Sequence, residues 1–379
     1  SGQMDYDDCY TVPAGCYSLN LTNDELITGD WAKGPAGSGE TDWCHTSVLV
    51  VKVATGGLAE SWELADDETL VLHIRKGVHF SLNPDSEASH LANGRELTAD
   101  DVVFCLNRQY FDVPAAYMNV NFTEDKKPQS MTMPDDYTVV IKVTPGMAGE
   151  IIRGGCEFMW IYPREVIEKY GDMRDWENSV GTGPFMLTEV VKDSSMTFVR
   201  NRNYWMKDPI NPENQLPYID GVRILIIPDA STRISALRTG KIESLGVGWE
   251  DYRDIIRTNP KLNHARYLPS SSASVYMRVD RPELPFYDVR VRQALTIGLD
   301  RQAIVDEYYG GDAILLFDPV PPYPIYLRDL YTPLEELPQS VQELYHYNPE
   351  KAKAMLADAG YPNGFKTSIL CTSTAVDLL

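Results

Sequence analysis

Strand-like and helix-like segments follow one another along this chain in no regular alternation, and that order limits the fold more than any single motif does. Residues 70–75 have strand composition and run into a Lys76-Gly77 turn, followed by Val78-His79-Phe80. Residues 83–93 are polar, with Pro, Ser and Asn, and read as a loop. Thr98 is placed to cap a helix, with Asp101 three residues on as its capping-box partner. Val102, Cys105, Leu106 and Gln109 follow at helical spacing. Residues 137–143 form a strand introduced by the turn at Pro134-Asp135-Asp136, and 185–191 with 196–200 form a hairpin around 192–195. Residues 222–227 read as a buried strand stopped by Pro228-Asp229, and a helix then runs from Ser231 to near Gly240.

Two further helices carry strong end signals. Asp288 caps a helix expected over 289–309 and closed by Gly310-Gly311. Asn348 caps another, with Pro349 at its first position and Gly360 just past its end. Between them, 318–338 is rich in Pro and Tyr and must run over a surface. Neither strict strand–helix–strand alternation nor an all-strand run is present, and no repeat occurs at solenoid periods. The order predicts an α/β protein (mixed α+β) of several lobes.

Length and charge narrow the function classes. At 379 residues the chain has room for two or three domains. It carries 34 Lys+Arg against 55 Asp+Glu, a net −21, with no basic run of the kind that phosphate contact needs, so a nucleic-acid partner is not expected. No uncharged apolar stretch approaches the roughly 18 residues of a membrane helix. The N-terminal residues lack a signal-peptide layout, which says nothing of the compartment. Six cysteines do not make a disulfide scaffold in so long a chain: Cys9 and Cys16 flank a turn and allow a local bridge, whereas Cys105 lies in a helical apolar pattern and reads as a small buried hydrophobe. No CxxC spacing occurs and the six histidines are scattered, so neither a structural zinc site nor any cofactor is expected.

Catalytic signatures are missing as well. There is no HExxH, GxSxG, GxxxxGK[ST] or SxxK. Gly181-Thr182-Gly183 is followed by Pro184 and a strand, where a phosphate loop needs a helix N-terminus. The pairs Asp66-Asp67, Asp100-Asp101 and Asp135-Asp136 offer acid/base chemistry on paper, but each sits at a turn or helix start, where Asp is favoured for local hydrogen bonds. An enzyme is therefore not expected. Twenty-two Tyr and seven Trp are generous, and Trp31, Trp43, Trp160, Trp249 and Tyr267 fall at predicted element ends. Aromatics so placed either line a recognition cleft or pack between lobes, and the residues alone leave both readings open.

Eight segments, read in order, resemble extracellular solute-binding protein family 5, the capture subunits of ABC importers for oligopeptides, dipeptides and nickel chelates. They are GGLAESWEL (56–64), VLHIRKGVHF (71–80), NGRELTADDVVF (93–104), VGTGPFML (180–187), RNRNYW (200–205), IIPDASTRISALRTGKIE (226–243), LPFYDVRVRQALTIGLDRQAIV (284–305) and YNPEKAKAMLADAGYPNGF (347–365). The resemblance runs from about residue 24 to the end. These segments make sense as scaffold: Gly181, Gly183 and Pro184 shape a tight approach, and Asp288 is placed to cap its helix and pair with Arg290 or Arg292.

The resemblance implies a two-lobed, periplasmic-binding-protein-like clamp that closes on its ligand. Its first-lobe core would be 1–40 and 179–268, with 41–178 inserted as a subdomain and 269–379 forming the second lobe. It implies a non-enzymatic extracytoplasmic component of an ABC importer, periplasmic or extracellular, with a lipid anchor to the cell envelope as an option. Its partners would be a peptide, or another small molecule, and the membrane permease subunits, and the protein itself would be a monomer. The alternatives are the same clamp binding an oligosaccharide or metal chelate, or a hydrolase on a mixed scaffold. By motif position, Phe158, Met159, Trp160, Trp249, Tyr267, Ser270 and Ser272 would face the ligand. Family members usually continue well beyond the AGYPNGF segment, whereas 14 residues follow Phe365 here. The second lobe is therefore expected to be incomplete, without the segment that supplies peptide-binding relatives with an acidic anchor for the ligand α-amine.

Overall fold

The computed structural model describes residues 19–30, 32–33, 54–152, 159–265, 274–315 and 331–370. Cys9, Cys16, Trp31, Trp43 and residues 316–330 lie outside them. The described chain is a mixture of short helices and antiparallel strands, and it divides into two compact units, one reaching Ala236 and the other starting at Leu237.

In the first unit, β1 (Ile27–Gly29) pairs antiparallel with β2 (Ala54–Gly56). A four-stranded sheet follows, built from β3 (Ala59–Asp66), β4 (Thr69–Ile74), β5 (Ser130–Asp135) and β6 (Thr138–Lys142) in the order β3-β4-β6-β5. Its register places Leu70 opposite Ile141 and Leu72 opposite Val139, and all four are fully buried, so the alternation of the strands drives one face into the core. The helix Ala99–Asn107 contributes Val102, Cys105 and Leu106 to that same core. Its start is fixed as the sequence predicts, the Asp101 carboxylate accepting from Thr98 N–H at 3.0 Å. Cys105 is buried, with its Sγ 3.5 Å from Tyr162 O. Arg95 ties this helix to the helix Arg164–Tyr170, forking onto Asp101 at 2.6 and 2.8 Å and onto Glu165 at 2.7 and 2.8 Å.

A second sheet in this unit runs β7 (Phe185–Val191), β8 (Ser195–Arg200) and β9 (Gly221–Leu225), closing a small core of Phe185, Leu187, Met196 and Phe198. In the second unit the helices Val289–Ile297 and Pro349–Asp358 pack through Ala294, Ile297 and Ala352. Asp288 caps the first of these at Arg290 N, 2.8 Å, and Asn348 caps the second at Lys351 N, 3.0 Å.

Three sequence expectations need correction. Residues 83–93 are not all loop: Ser86 Oγ accepts from Ser89 N–H at 3.1 Å and starts a helix, Glu87–Ala92, which Asn93 ends in the left-handed conformation. The strand expected to be buried near 222–227 is a sheet edge with exposed residues at every second position. The helix expected over 289–309 stops at Ile297 with Gly298 at its cap, where an added Cβ would meet Ala352 Cβ at 3.3 Å, and Asp300 then caps a new turn at Ala303 N, 3.0 Å. The paired aspartates keep to turns and caps: Asp66 accepts from Glu68 N–H at 2.9 Å and Asp135 from Tyr137 N–H at 2.8 Å.

A candidate site around Trp205

Asp24 follows the short helix Leu19–Thr22 and is held by close packing of two backbones. Thr22 O accepts from Gly183 N–H at 2.9 Å, and Asn23 Nδ2 donates to Ile161 O at 3.0 Å and Val180 O at 3.3 Å. Only glycine allows this approach, since a Cβ on Gly181 would stand 2.2 Å from Thr22 O. Three side chains then converge on the Asp24 carboxylate. Thr182 Oγ1 and Trp205 Nε1 each donate to Oδ2 at 2.8 Å, and Tyr204 OH donates to Oδ1 at 3.1 Å. Burial pushes the Asp24 carboxyl above its usual range, against the opposing effect of the three donors. The Tyr204 phenol is likewise pushed up, first by burial and then by the neighbouring carboxylate.

This arrangement orients the Trp205 indole. Arg75 lies over the ring, its guanidinium carbon 4.6 Å from the centroid, a cation–π distance. Arg75 is itself fixed by donating Nε to Gly57 O at 3.0 Å and Nη2 to Gly56 O at 3.3 Å. Trp205 and Arg75 line a cavity of about 560 Å³ contained in the first unit, within the usual range for small-molecule sites. Charged residues of both signs share the lining: Asp30 and Glu60, Lys76 and Lys207. Asp30 pairs with Lys33 at 3.3 Å, and the Lys76 ammonium sits 4.8 Å from the Tyr137 ring centroid. Among the described residues, the Glu60 carboxylate and the Lys207 ammonium pair neither with each other nor with another group.

Of the residues expected to face a ligand, Met159, Trp160 and Trp249 are described, and none of the three lines this cavity. Phe158, Tyr267, Ser270 and Ser272 lie outside the described residues. Met159 and Trp160 are buried in the first unit at 0% and 2% exposure, and the Trp160 indole N–H donates to Asn20 Oδ1 at 2.7 Å. Trp249 opens the helix Trp249–Thr258 of the second unit and is half-buried. Its ring lies 5.9 Å from those of both Tyr308 and Tyr309, which are 4.8 Å from each other. Sequence reading missed Asp24, Arg75 and Trp205 as a group. Thr182, Tyr204, Trp205 and Arg75 all fall within segments quoted as scaffold, and nothing local in the sequence says that they meet.

The profile described as bacterial extracellular solute-binding proteins, family 5 Middle, matches residues 54–377. The chain is 33% identical over 327 residues to heme-binding protein A of Haemophilus influenzae, an alignment covering 82% of this chain and 54% of the relative. It is 31% identical over 328 residues to the dipeptide-binding protein of Escherichia coli, covering 83% of this chain and 56% of that protein. The chain thus spans about half the length of the curated relatives it matches. Among solved structures it resembles the ABC transporter-associated periplasmic binding protein DppA of Helicobacter pylori in complex with the peptide STSA, with a TM-score of 0.67 at 22% identity over 97% of this chain and 66% of the other.

Proposed function

This chain belongs to family 5 of the bacterial extracellular solute-binding proteins, and from that premise we propose that it serves as the extracytoplasmic substrate-binding component of an ABC importer, capturing peptides without turning them over. The observation that carries the proposal is the continuous family match over residues 54–377. The Escherichia coli relative is named for dipeptides, which supports peptides as the ligand class. Ligand recognition would rest on main-chain hydrogen bonds with roomy side-chain pockets, which tolerates many sequences. In this reading the first-lobe core is 1–40 and 179–268, with 41–178 inserted and 269–379 as the second lobe. Trp249 offers its ring to the ligand in this reading, and Phe158, Met159, Trp160, Tyr267, Ser270 and Ser272 are its other proposed contacts. The protein works as a monomer with membrane permease subunits, in the periplasm or outside the cell, a lipid anchor being one way to hold it there.

A second reading follows from the Haemophilus influenzae relative, whose name specifies heme. The test is a calorimetric screen of short peptides, oligosaccharides, nickel chelates and heme. It is run on the 379-residue chain and on a chain lengthened to the span of its curated relatives. Saturable binding of peptides without hydrolysis supports the proposal. Tight binding of heme or a sugar with peptides inert in both chains overturns the peptide assignment, and peptide turnover overturns the non-enzymatic one.

A further inference from the structure

Two opposite charges line the cavity beside Trp205 without neutralising each other. The Glu60 carboxylate and the Lys207 ammonium belong to segments nearly 150 positions apart in sequence, and neither has a hydrogen-bond or ion-pair partner among the described residues. Other charges of that lining are already engaged: Asp30 with Lys33, and Arg75 with two backbone carbonyls. The Trp205 ring is held by its indole hydrogen bond to Asp24 and by Arg75 over its face, so this wall is set before anything enters. A cavity with a fixed aromatic wall and an unpaired charge of each sign complements a small molecule that carries both charges itself. We propose that this cavity is a binding site for a small zwitterion of the α-amino-acid class, its ammonium meeting Glu60 and its carboxylate meeting Lys207.

Charge-assisted hydrogen bonds at both ends set the orientation, and the volume of about 560 Å³ leaves space for a side chain as large as leucine's. An acid or an amine alone would satisfy one end and leave the other charge unpaired, so the site discriminates by requiring both. The lining residues all belong to the first unit, so the site does not depend on the second unit or on the ligand assigned under the importer reading.

The experiment is isothermal titration calorimetry of the 379-residue chain with leucine, and with isovalerate and isoamylamine as the single-charge halves. The expected result is saturable leucine binding at millimolar concentration or tighter, with each half bound at least about tenfold more weakly. Glu60→Gln and Lys207→Met should each weaken leucine binding about tenfold or more, while Lys261→Met, at an exposed lysine of the second unit, leaves it unchanged. Both variants change side chains without a partner, and a thermal melt matching the parent's shows that they fold. Absence of saturable leucine binding overturns the proposal, as does binding that neither variant affects or a half that binds as well as leucine.

Discussion

Trp205 donates its indole N–H to the Asp24 carboxylate across 2.8 Å, joining residues 181 positions apart. With Thr182 and Tyr204 donating to the same carboxylate, one acidic side chain holds three stretches of the first unit together. Replacing Asp24 with Ala would leave two hydroxyls and an indole N–H without their acceptor, each an unmet group costing roughly 1–3 kcal/mol, offset in part by removing a poorly solvated carboxyl. Asp24→Ala is therefore expected to destabilise the first unit by about 3 kcal/mol, measured by denaturant unfolding followed by tryptophan fluorescence. A change within experimental error would show that the three donors find water instead.

The raised Asp24 pKa gives a pH signature of definite sign. Between the ordinary value of 3.8 and the raised folded value, the native state keeps a proton that the unfolded state has released. Stability from this group consequently falls as pH rises through that window and levels off above it. Asp24→Asn has no such proton, so the parent should lose ground relative to this variant as pH increases from about 4. Glu165 has the opposite sign. The Arg95 guanidinium holds its carboxyl below the ordinary 4.5, so its contribution is fully present above that value and is lost as pH falls through the lowered one. Urea midpoints of parent, Asp24→Asn and Glu165→Gln over pH 3–8 test both slopes.

Gly181→Ala probes the backbone contact beneath this network. The new methyl would stand 2.2 Å from Thr22 O, a main-chain atom that no rotamer change can move. The expected loss is about 2 kcal/mol or more, as for other overpacked sites. Gly77→Ala is the control, since its Cβ meets nothing within 4 Å and only its positive φ, +75°, opposes the change. A smaller loss at Gly181 than at Gly77 would contradict the packing seen here.

These contacts show where sequence reading succeeds. Thr98 with Asp101, Asp288, and Asn348 with Pro349 were legible because caps are local: the signal lies within three or four residues of its partner. The register of β4 on β6 follows from alternation once the strands are recognised. The helix at Glu87–Ala92 was lost among polar residues because Ser86 and Asn93, which start and stop it, also favour loops. The site was legible only in pieces. Thr182, Tyr204 and Trp205 stand out as motif members, but their meeting at Asp24 depends on a fold that no window of sequence contains. The crowding at Gly298 likewise comes in part from Ala352, a neighbour more than 50 residues away.

The second unit should open more readily than the first. Among the described residues its cluster is Ala294, Ile297 and Ala352, whereas the first unit buries a continuous core extending from Leu26 to Val180. Fewer buried apolar groups mean a lower free energy of local opening. Native-state hydrogen exchange should therefore show lower protection in Val289–Ile297 and Pro349–Asp358 than in Ala99–Asn107 and β4. Equal protection in the two units would refute this ranking.

Trp249 provides the test closest to the proposed function. Its ring forms an edge-packed cluster with Tyr308 and Tyr309, which limits the conformations it must lose when a ligand arrives. If peptides bind as proposed, Trp249→Ala should weaken them by about 1–3 kcal/mol, roughly ten- to two-hundredfold in Kd. Part of any loss could come from relaxation of the two tyrosines, so Trp249→Phe is the necessary companion and should retain most of the affinity. The net charge of −21 adds a second, separable effect: cationic peptides should associate faster than neutral ones at low salt, and the difference should shrink as the screening length falls below about 10 Å. Salt dependence in the on-rate and Trp249 dependence in the off-rate would assign steering to the surface and affinity to the ring. Wild-type affinity in Trp249→Ala would remove Trp249 from the site.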